Sequence, residues 1–307
     1  MSALAEERIE SLGQRFETDS LHHGLIFRGD EIPFLEQSVC ILYRKILGMS
    51  DDASVHPDLF HLRPSGKARI ITVEKTRMLI SDLYRSGHQG SRKVAIIHET
   101  DRMRKEAANA FLKTLEEPPS GTYLFLLTTR PYSIPPTLRS RCIMVRLDKK
   151  GKKQDNEVWS DWLSKYQAWI NLLLDREKLK ADRVSPVFMA YGLIESLSAL
   201  IKTFADSSAK NALGNLTVPL EDKERDAYES GLRRGIRTNI LKEISQHTRE
   251  YVIDQNKIIQ NLGRNGQKLS RIISQLERIN GLLEVNLKEE AAIEDFLLSS
   301  LRIWSAK

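Results

Sequence analysis

Cysteine is nearly absent: Cys40 and Cys142 are the only two among 307 residues. Two thiols cannot build a four-ligand structural zinc site or a cystine framework, so neither a metal finger nor a disulfide-stapled secreted domain is expected. Long apolar runs are missing as well. No stretch approaches eighteen uninterrupted apolar residues, and Met1 to Phe16 is mixed and charged without a seven-residue apolar core. Neither a membrane span nor a signal peptide is therefore expected, and the default compartment is the reducing cytoplasm. Charge of one sign is not abundant: 47 basic against 41 acidic side chains give +6. The excess is spread over both halves, 23 against 19 in residues 1–150 and 24 against 22 in 151–307. A mild bias of this kind permits contact with nucleic acid without demanding it.

What is present is an ordinary globular composition, 41% hydrophobic and 29% charged, long enough for about two domains. The first half alternates short β-rich runs with helical patterns. Candidate strands are 24–27, 69–73, 94–97, 123–127 and 143–147. The runs at Val94 and Tyr123 are apolar on both faces, as central strands of a helix-covered parallel sheet should be. Arg104 to Glu117 reads as a helix with Ala107, Ala108, Phe111, Leu112 and Leu115 on one face. Thr100 or Asp101 is placed to cap it, and Pro118-Pro119 ends it. Alternating strands and helices predict a doubly wound α/β domain over residues 1–148.

The composition then changes. Residues 149–157 are polar, lysine-rich and without periodicity, which predicts a linker. Residues 158–307 read as an all-α domain. Trp159, Trp162, Leu163, Tyr166, Trp169, Ile170 and Leu173 recur at three- and four-residue steps. A second helix is predicted over about 187–204, a loop over 207–222, and a last helix carrying Ile293, Leu297, Leu301 and Trp304. Leu262, Leu269, Leu276 and Leu283 repeat every seven residues with Ile272, Ile273 and Ile279 between them. Such a seam suits the core of an antiparallel bundle or a coiled-coil dimer.

One succession is far more specific than these patterns. Val94-Ala95-Ile96-Ile97-His98-Glu99-Thr100-Asp101 is followed by Ala108-Asn109-Ala110-Phe111-Leu112-Lys113-Thr114-Leu115-Glu116-Glu117-Pro118-Pro119, then a strand, then Pro135-Pro136-Thr137-Leu138-Arg139-Ser140-Arg141-Cys142. It resembles the AAA+ module of bacterial clamp-loader subunits, the delta-prime family of DNA polymerase III most of all. His56-Pro57-Asp58 and Leu62-Arg63-Pro64 with Gly66-Lys67 strengthen the likeness, which is strong over 56–146 and weaker over 20–55. The resemblance implies an AAA+ α/β domain, a five-stranded parallel sheet with helices on both faces, followed by an all-α domain like the family's oligomerisation collar. No lid domain is recognisable after the fifth strand, so the lid is expected to be reduced or diverged.

An AAA+ ATPase needs a Gly-rich loop ending in Lys-Ser/Thr, acids after the third strand for magnesium, and a positive finger. The first is missing. Phe27-Arg28-Gly29-Asp30-Glu31-Ile32-Pro33-Phe34-Leu35-Glu36 keeps one glycine and sets apolar bulk and carboxylates where phosphates would lie. The second is damaged, because His98 stands at the aspartate position and imidazole is a poor magnesium ligand; Glu99 remains. A strand-end histidine with a local hydrogen bond is the plainer account of His98. The third is intact: Ser140-Arg141-Cys142 matches the family's finger motif, whose arginine reaches a neighbour's nucleotide. A planar, permanently charged guanidinium suits that task. Gly48 to Val55 holds no cysteine, so the small zinc module of many delta-prime-like chains is not expected.

The resemblance thus implies a non-catalytic clamp-loader subunit without intrinsic ATPase, giving Arg141, flanked by Ser140 and Cys142, in trans. Its expected partners are gamma/tau-like ATPase subunits, a delta-like subunit, the sliding clamp and, through the complex, primer-template DNA, with no membrane. No cofactor or metal of its own is expected; ATP and magnesium would belong to partner subunits. Two alternatives stand beside it: a motor subunit with an unorthodox nucleotide site, and an adaptor built on an inactive AAA+ fold.

Overall fold

The computed structural model describes residues 3–50, 55–85, 92–147, 156–214, 216, 219–258, 262–284 and 288–306. By packing, the chain divides into two compact units: residues 1–152 with 210–232, and 153–209 with 233–307.

The first unit is built on five parallel strands: β1 (Gly24–Arg28), β2 (Leu59–Leu62), β3 (Lys93–Ile97), β4 (Thr122–Thr128) and β5 (Ile143–Arg146). They lie in the order β2-β3-β4-β1-β5. Side chains alternate between two cores, as the two-residue period of a strand dictates. Leu25, Phe27, Val94, Ile96, Phe125 and Leu127 face α1 (Ala3–Glu17) and α2 (Ile32–Leu47). Ile26, Ala95, Ile97, Leu124 and Leu126 face α3 (Val73–Tyr84), α4 (Lys105–Glu116) and the single turn α5 (Pro136–Arg139). Both faces are covered, which is why the central strands are apolar throughout. The expected α/β fold, five parallel strands with helices on both faces, is the fold found.

Several local expectations are corrected. The strand expected at 69–73 is instead a turn entering α3. Arg69 adopts a left-handed φ of 52°, incompatible with an extended run, and the Thr72 hydroxyl accepts the Lys75 amide as the helix cap. The edge position is taken by Leu59-Phe60-His61-Leu62, paired with β3. The cap of α4 is the backbone of Arg104, because Thr100–Arg102 forms a separate 3₁₀ turn. The charged N-terminal segment is a helix that buries Ala5, Ile9, Leu12 and Phe16 against the sheet.

The second unit is helical: α6 (Glu157–Leu174), α7 (Arg176–Ala181), most of α8 (Ser185–Gly214) and of α9 (Asp222–Ile258), α10 (Leu262–Glu284) and α11 (Glu289–Ser305). Of the linker expected at 149–157, residues 149–155 lie outside the described residues; the Asn156 side chain caps α6, which Glu157 opens. The tryptophan stripe is core. Trp159, Trp162 and Tyr166 stack at ring separations of 5.3 and 5.2 Å. Their polar tips are partnered: Trp162 Nε1 donates to Leu193 O (3.2 Å), Trp169 Nε1 to Pro186 O (2.9 Å), and Tyr166 meets Thr248 Oγ1 at 3.0 Å. The heptad seam joins the same core through Ile272, Leu276, Ile279 and Leu283, beside Phe296 and Trp304, so it closes a bundle within the chain. Part of the loop expected at 207–222 is helical, since α8 continues to Gly214. By length and composition α8 could cross a membrane, with a mean hydropathy of 1.4 over eighteen residues. Its Leu193, Leu197, Leu200 and Ile201 pack in the bundle core, while Phe188 and Tyr191 are exposed.

Candidate functional site

Two charged clusters stand out in the α/β unit, one at each end of its parallel strands. The first lies where the strands end. β1 runs into Arg28-Gly29, and Gly29 is there for packing: a Cβ would come within 2.4 Å of Leu147 O and 2.9 Å of Leu35 Cδ2. α2 then begins at Ile32 with Pro33 in its first turn, and Phe34 and Leu35 point into the core. One turn on, Glu36 faces the strand ends. Its Oε1 lies 2.6 Å from Arg63 Nη1 and 2.6 Å from His98 Nδ1, and its Oε2 accepts from Tyr228 OH at 2.9 Å. His98 Nε2 in turn meets His61 Nδ1 at 3.0 Å. Arg63 follows β2, His98 follows β3, and Tyr228 comes from α9, so four elements are tied through one carboxylate.

Burial and charge set the protonation of this cluster. Burial alone would raise the Glu36 carboxyl, but the Arg63 charge and the hydrogen bonds from His98 and Arg63 outweigh it and hold it well below the usual range. Burial and then Arg63 push His98 down to about 4, against the pull of Glu36. His61 is likewise held well below its ordinary value by burial, His98 and Arg63, against the pull of Glu36. At neutral pH both imidazoles are neutral. The tautomers consistent with both contacts have His98 Nδ1–H directed at Glu36 and His98 Nε2 accepting from His61 Nδ1–H, which leaves His61 Nε2 buried without a partner. The Tyr228 phenol is pushed up by burial and the Glu36 charge, so it stays a donor.

Glu99, the remaining acid of the third strand, is also engaged. It sits at a left-handed φ of 47° and forms a buried ion pair with Arg69. Burial raises its carboxyl, only partly countered by Arg69. Asp101 accepts the Thr128 hydroxyl at 2.6 Å.

The start of α9 packs over these groups. Gly66 N donates to Lys223 O (2.9 Å), Lys75 Nζ pairs with Glu224 (2.8 Å) and Glu221 (3.4 Å), and Ala227 and Tyr228 are buried. Gly231 lies against the Arg69 guanidinium, where a Cβ would stand 2.4 Å from Nη2. What remains is a cavity of about 100 Å³ bordered by Glu36, Cys40, His61, Arg63 and Tyr228. Sequence reasoning missed Tyr228 and its segment, which no local pattern links to Glu36.

The second cluster lies where the strands begin. α5 and the turn after it bring Ser140, Arg141 and Cys142 to the start of β5, beside the C-terminal end of α4. Arg141 Nε donates to Glu116 Oε1 at 2.6 Å, and Nη2 closes on the same oxygen. Nη1 donates to Thr137 O (2.8 Å) and reaches Ser140 Oγ at 3.3 Å. Ser140 Oγ donates to Thr137 O, tightening the turn. Cys142 packs toward Gly24 and the second core, and burial pushes its thiol up to about 12, so it is a packing residue and no nucleophile. The Arg141 side chain keeps 35% exposure, enough for its tip to meet another molecule. Since the strands are parallel, the two clusters are separated by the length of β4. Its seven residues at about 3.3 Å each give roughly 20 Å.

Two basic groups beside the third strand have local partners. Lys93 is buried and donates to Leu83 O (2.7 Å), and the Arg92 guanidinium lies 4.5 Å from the centre of the Phe16 ring. No group of three or more His, Cys, Asp or Glu side chains suited to a metal ion occurs among the described residues.

Residues 4–151 match the family model described as "DNA polymerase III, delta subunit". The delta' subunit of DNA polymerase III from Pseudomonas aeruginosa is 38% identical over 91 residues, 30% of this chain and 28% of that one. The match therefore spans little more than a quarter of that relative. Haemophilus influenzae delta' is 26% identical over 277 residues, covering 84% of this chain and 81% of its own. The tau/gamma subunit of the same organism is 28% identical over 158 residues, 46% of this chain and 22% of that one. In fold, motif order and these matches, residues 4–151 are similar to the delta-prime subunits of DNA polymerase III.

Proposed function

We propose that this chain is a non-catalytic clamp-loader subunit that holds no nucleotide of its own and offers Arg141 to the nucleotide of a neighbouring ATPase subunit. The observation that carries this reading is the separation of the two clusters. In open α/β sheets ligands bind outside the carboxyl ends of the strands. Here that end is filled by Glu36, Arg63, His98 and Tyr228 under the chain's own α9. A magnesium triphosphate does not fit these residues. No lysine or hydroxyl side chain stands at the loop's end, a carboxylate occupies the helix start, and the imidazole at the metal position is bound to that carboxylate. Arg141 sits roughly 20 Å away at the opposite end, out of reach of its own crevice. A partly exposed guanidinium there is placed to reach a second molecule rather than its own crevice.

On this reading the partners are gamma/tau-like ATPase subunits, a delta-like subunit, the clamp and primer-template DNA, and the compartment is the cytoplasm. The α/β unit presents the arginine, while the nucleotide, its magnesium and the turnover belong to the neighbour. In the reconstituted complex Arg141→Ala lowers DNA-stimulated ATP hydrolysis by about 10³-fold, the scale of an arginine finger, with assembly intact. Unchanged hydrolysis refutes the finger.

A further inference from the structure

Arg141 does not stand alone. Glu116 occupies the last turn of α4, where the helix dipole disfavours a carboxylate. Its Oε1 takes both Nε and Nη2 of Arg141, while Thr137 O takes Nη1 from the other side. A guanidinium is planar, so the contacts to Glu116, Thr137 O and Ser140 Oγ fix its plane, take four of its five N–H groups and leave one N–H of Nη2 without a partner among the described residues. The two partners come from different helices, α4 and α5, both packed on the same core through Leu115 and Leu138.

We infer that Glu116 is the positioning residue of the finger. It holds the guanidinium side-on so that the remaining Nη2 N–H meets a phosphoryl group without the side chain first losing rotamer freedom. This rests on the finger reading of Arg141. The pair is exposed, so it contributes little to the fold. Its value is orientation, where a displacement of about 1 Å can cost roughly 10²-fold in rate.

The test is steady-state ATP hydrolysis by the complex reconstituted with wild-type, E116A, E116Q, R141A and E116A/R141A chains. Glu116→Ala should lower kcat by about 10²-fold with the nucleotide KM unchanged, because the contact it supports is made only in the transition state. Glu116→Gln keeps an acceptor at the same place and should recover activity to within a few-fold of wild type. The double variant should be no slower than R141A, since Glu116 acts through that side chain. If E116A turns over at the wild-type rate while R141A is impaired, the positioning role is refuted and the finger stands. The same holds if E116A slows the R141A complex further, or if E116Q is as slow as E116A. If R141A itself is unimpaired, both readings fall.

Discussion

The two ends of one parallel sheet carry the two charged clusters of this protein, and they are built on opposite terms. At the carboxyl ends, Glu36, Arg63, His98 and Tyr228 are buried and mutually bonded under α9. At the amino ends, Arg141 is partly exposed and held by the Glu116 carboxylate, the Thr137 carbonyl and the Ser140 hydroxyl. The difference teaches that charge alone does not locate a working site. The buried cluster bonds mainly within itself, whereas Arg141 keeps 35% of its side chain exposed and one N–H without a partner among the described residues.

The contrast can be broken most sharply at Glu36. Glu36→Ala leaves the Arg63 guanidinium buried without its carboxylate and should destabilise the α/β unit by about 3–5 kcal/mol. All four tryptophans, Trp159, Trp162, Trp169 and Trp304, lie in the helical unit, so indole fluorescence serves as an internal control. The loss should be read from hydrogen exchange of the β1, β3 and β4 amides, which would quicken while the fluorescence transition stays in place. Wild-type exchange rates in those strands would show that the cluster does not hold the unit together.

The second effect is acid sensitivity. His98 is lowered from 6.5 to about 4 in the folded chain, so between these values the unfolded chain binds the extra proton. Stability from this group is therefore fully present above pH 6.5 and is lost as the pH falls toward 4, by on the order of 3 kcal/mol. His61 shifts the same way and adds to the slope, while the Glu36 contribution survives to lower pH because its carboxyl is depressed. Denaturation midpoints across pH 4–7 measure the slope, and His98→Gln should flatten it. The smallest effect belongs to the other end: Arg141→Ala should change stability by less than about 1 kcal/mol, since its ion pair is exposed. A larger loss would make Arg141 a structural residue.

The parts legible in the sequence were those with local signals. The apolar runs at Val94 and Tyr123 announce buried central strands, and the three- and four-residue steps from Trp159 to Leu173 announce a core helix. The 69–73 run misled because its β-branched residues suit a strand, whereas the left-handed Arg69 and the Thr72 cap make it a helix entry. The true edge strand, 59–62, is too short to show a period. α1 was hidden by its charges, although Ala5, Ile9, Leu12 and Phe16 keep helical spacing. His98 and Glu36 were recognisable as unsuited to a phosphate site. Their bond to one another was not, and Tyr228 lies 192 residues from Glu36, beyond any local pattern. Glu116 stood inside a recognised motif, but its contact with Arg141 exists only once α4 and α5 are folded.

The measurement that bears most directly on the comparison is a titration of the isolated wild-type chain with a fluorescent ATP analogue and magnesium, followed by anisotropy. A crevice filled by Glu36, Arg63, His98 and Tyr228 predicts no saturable binding up to millimolar nucleotide. A micromolar Kd would contradict it, because the end of the sheet described as occupied would then be open.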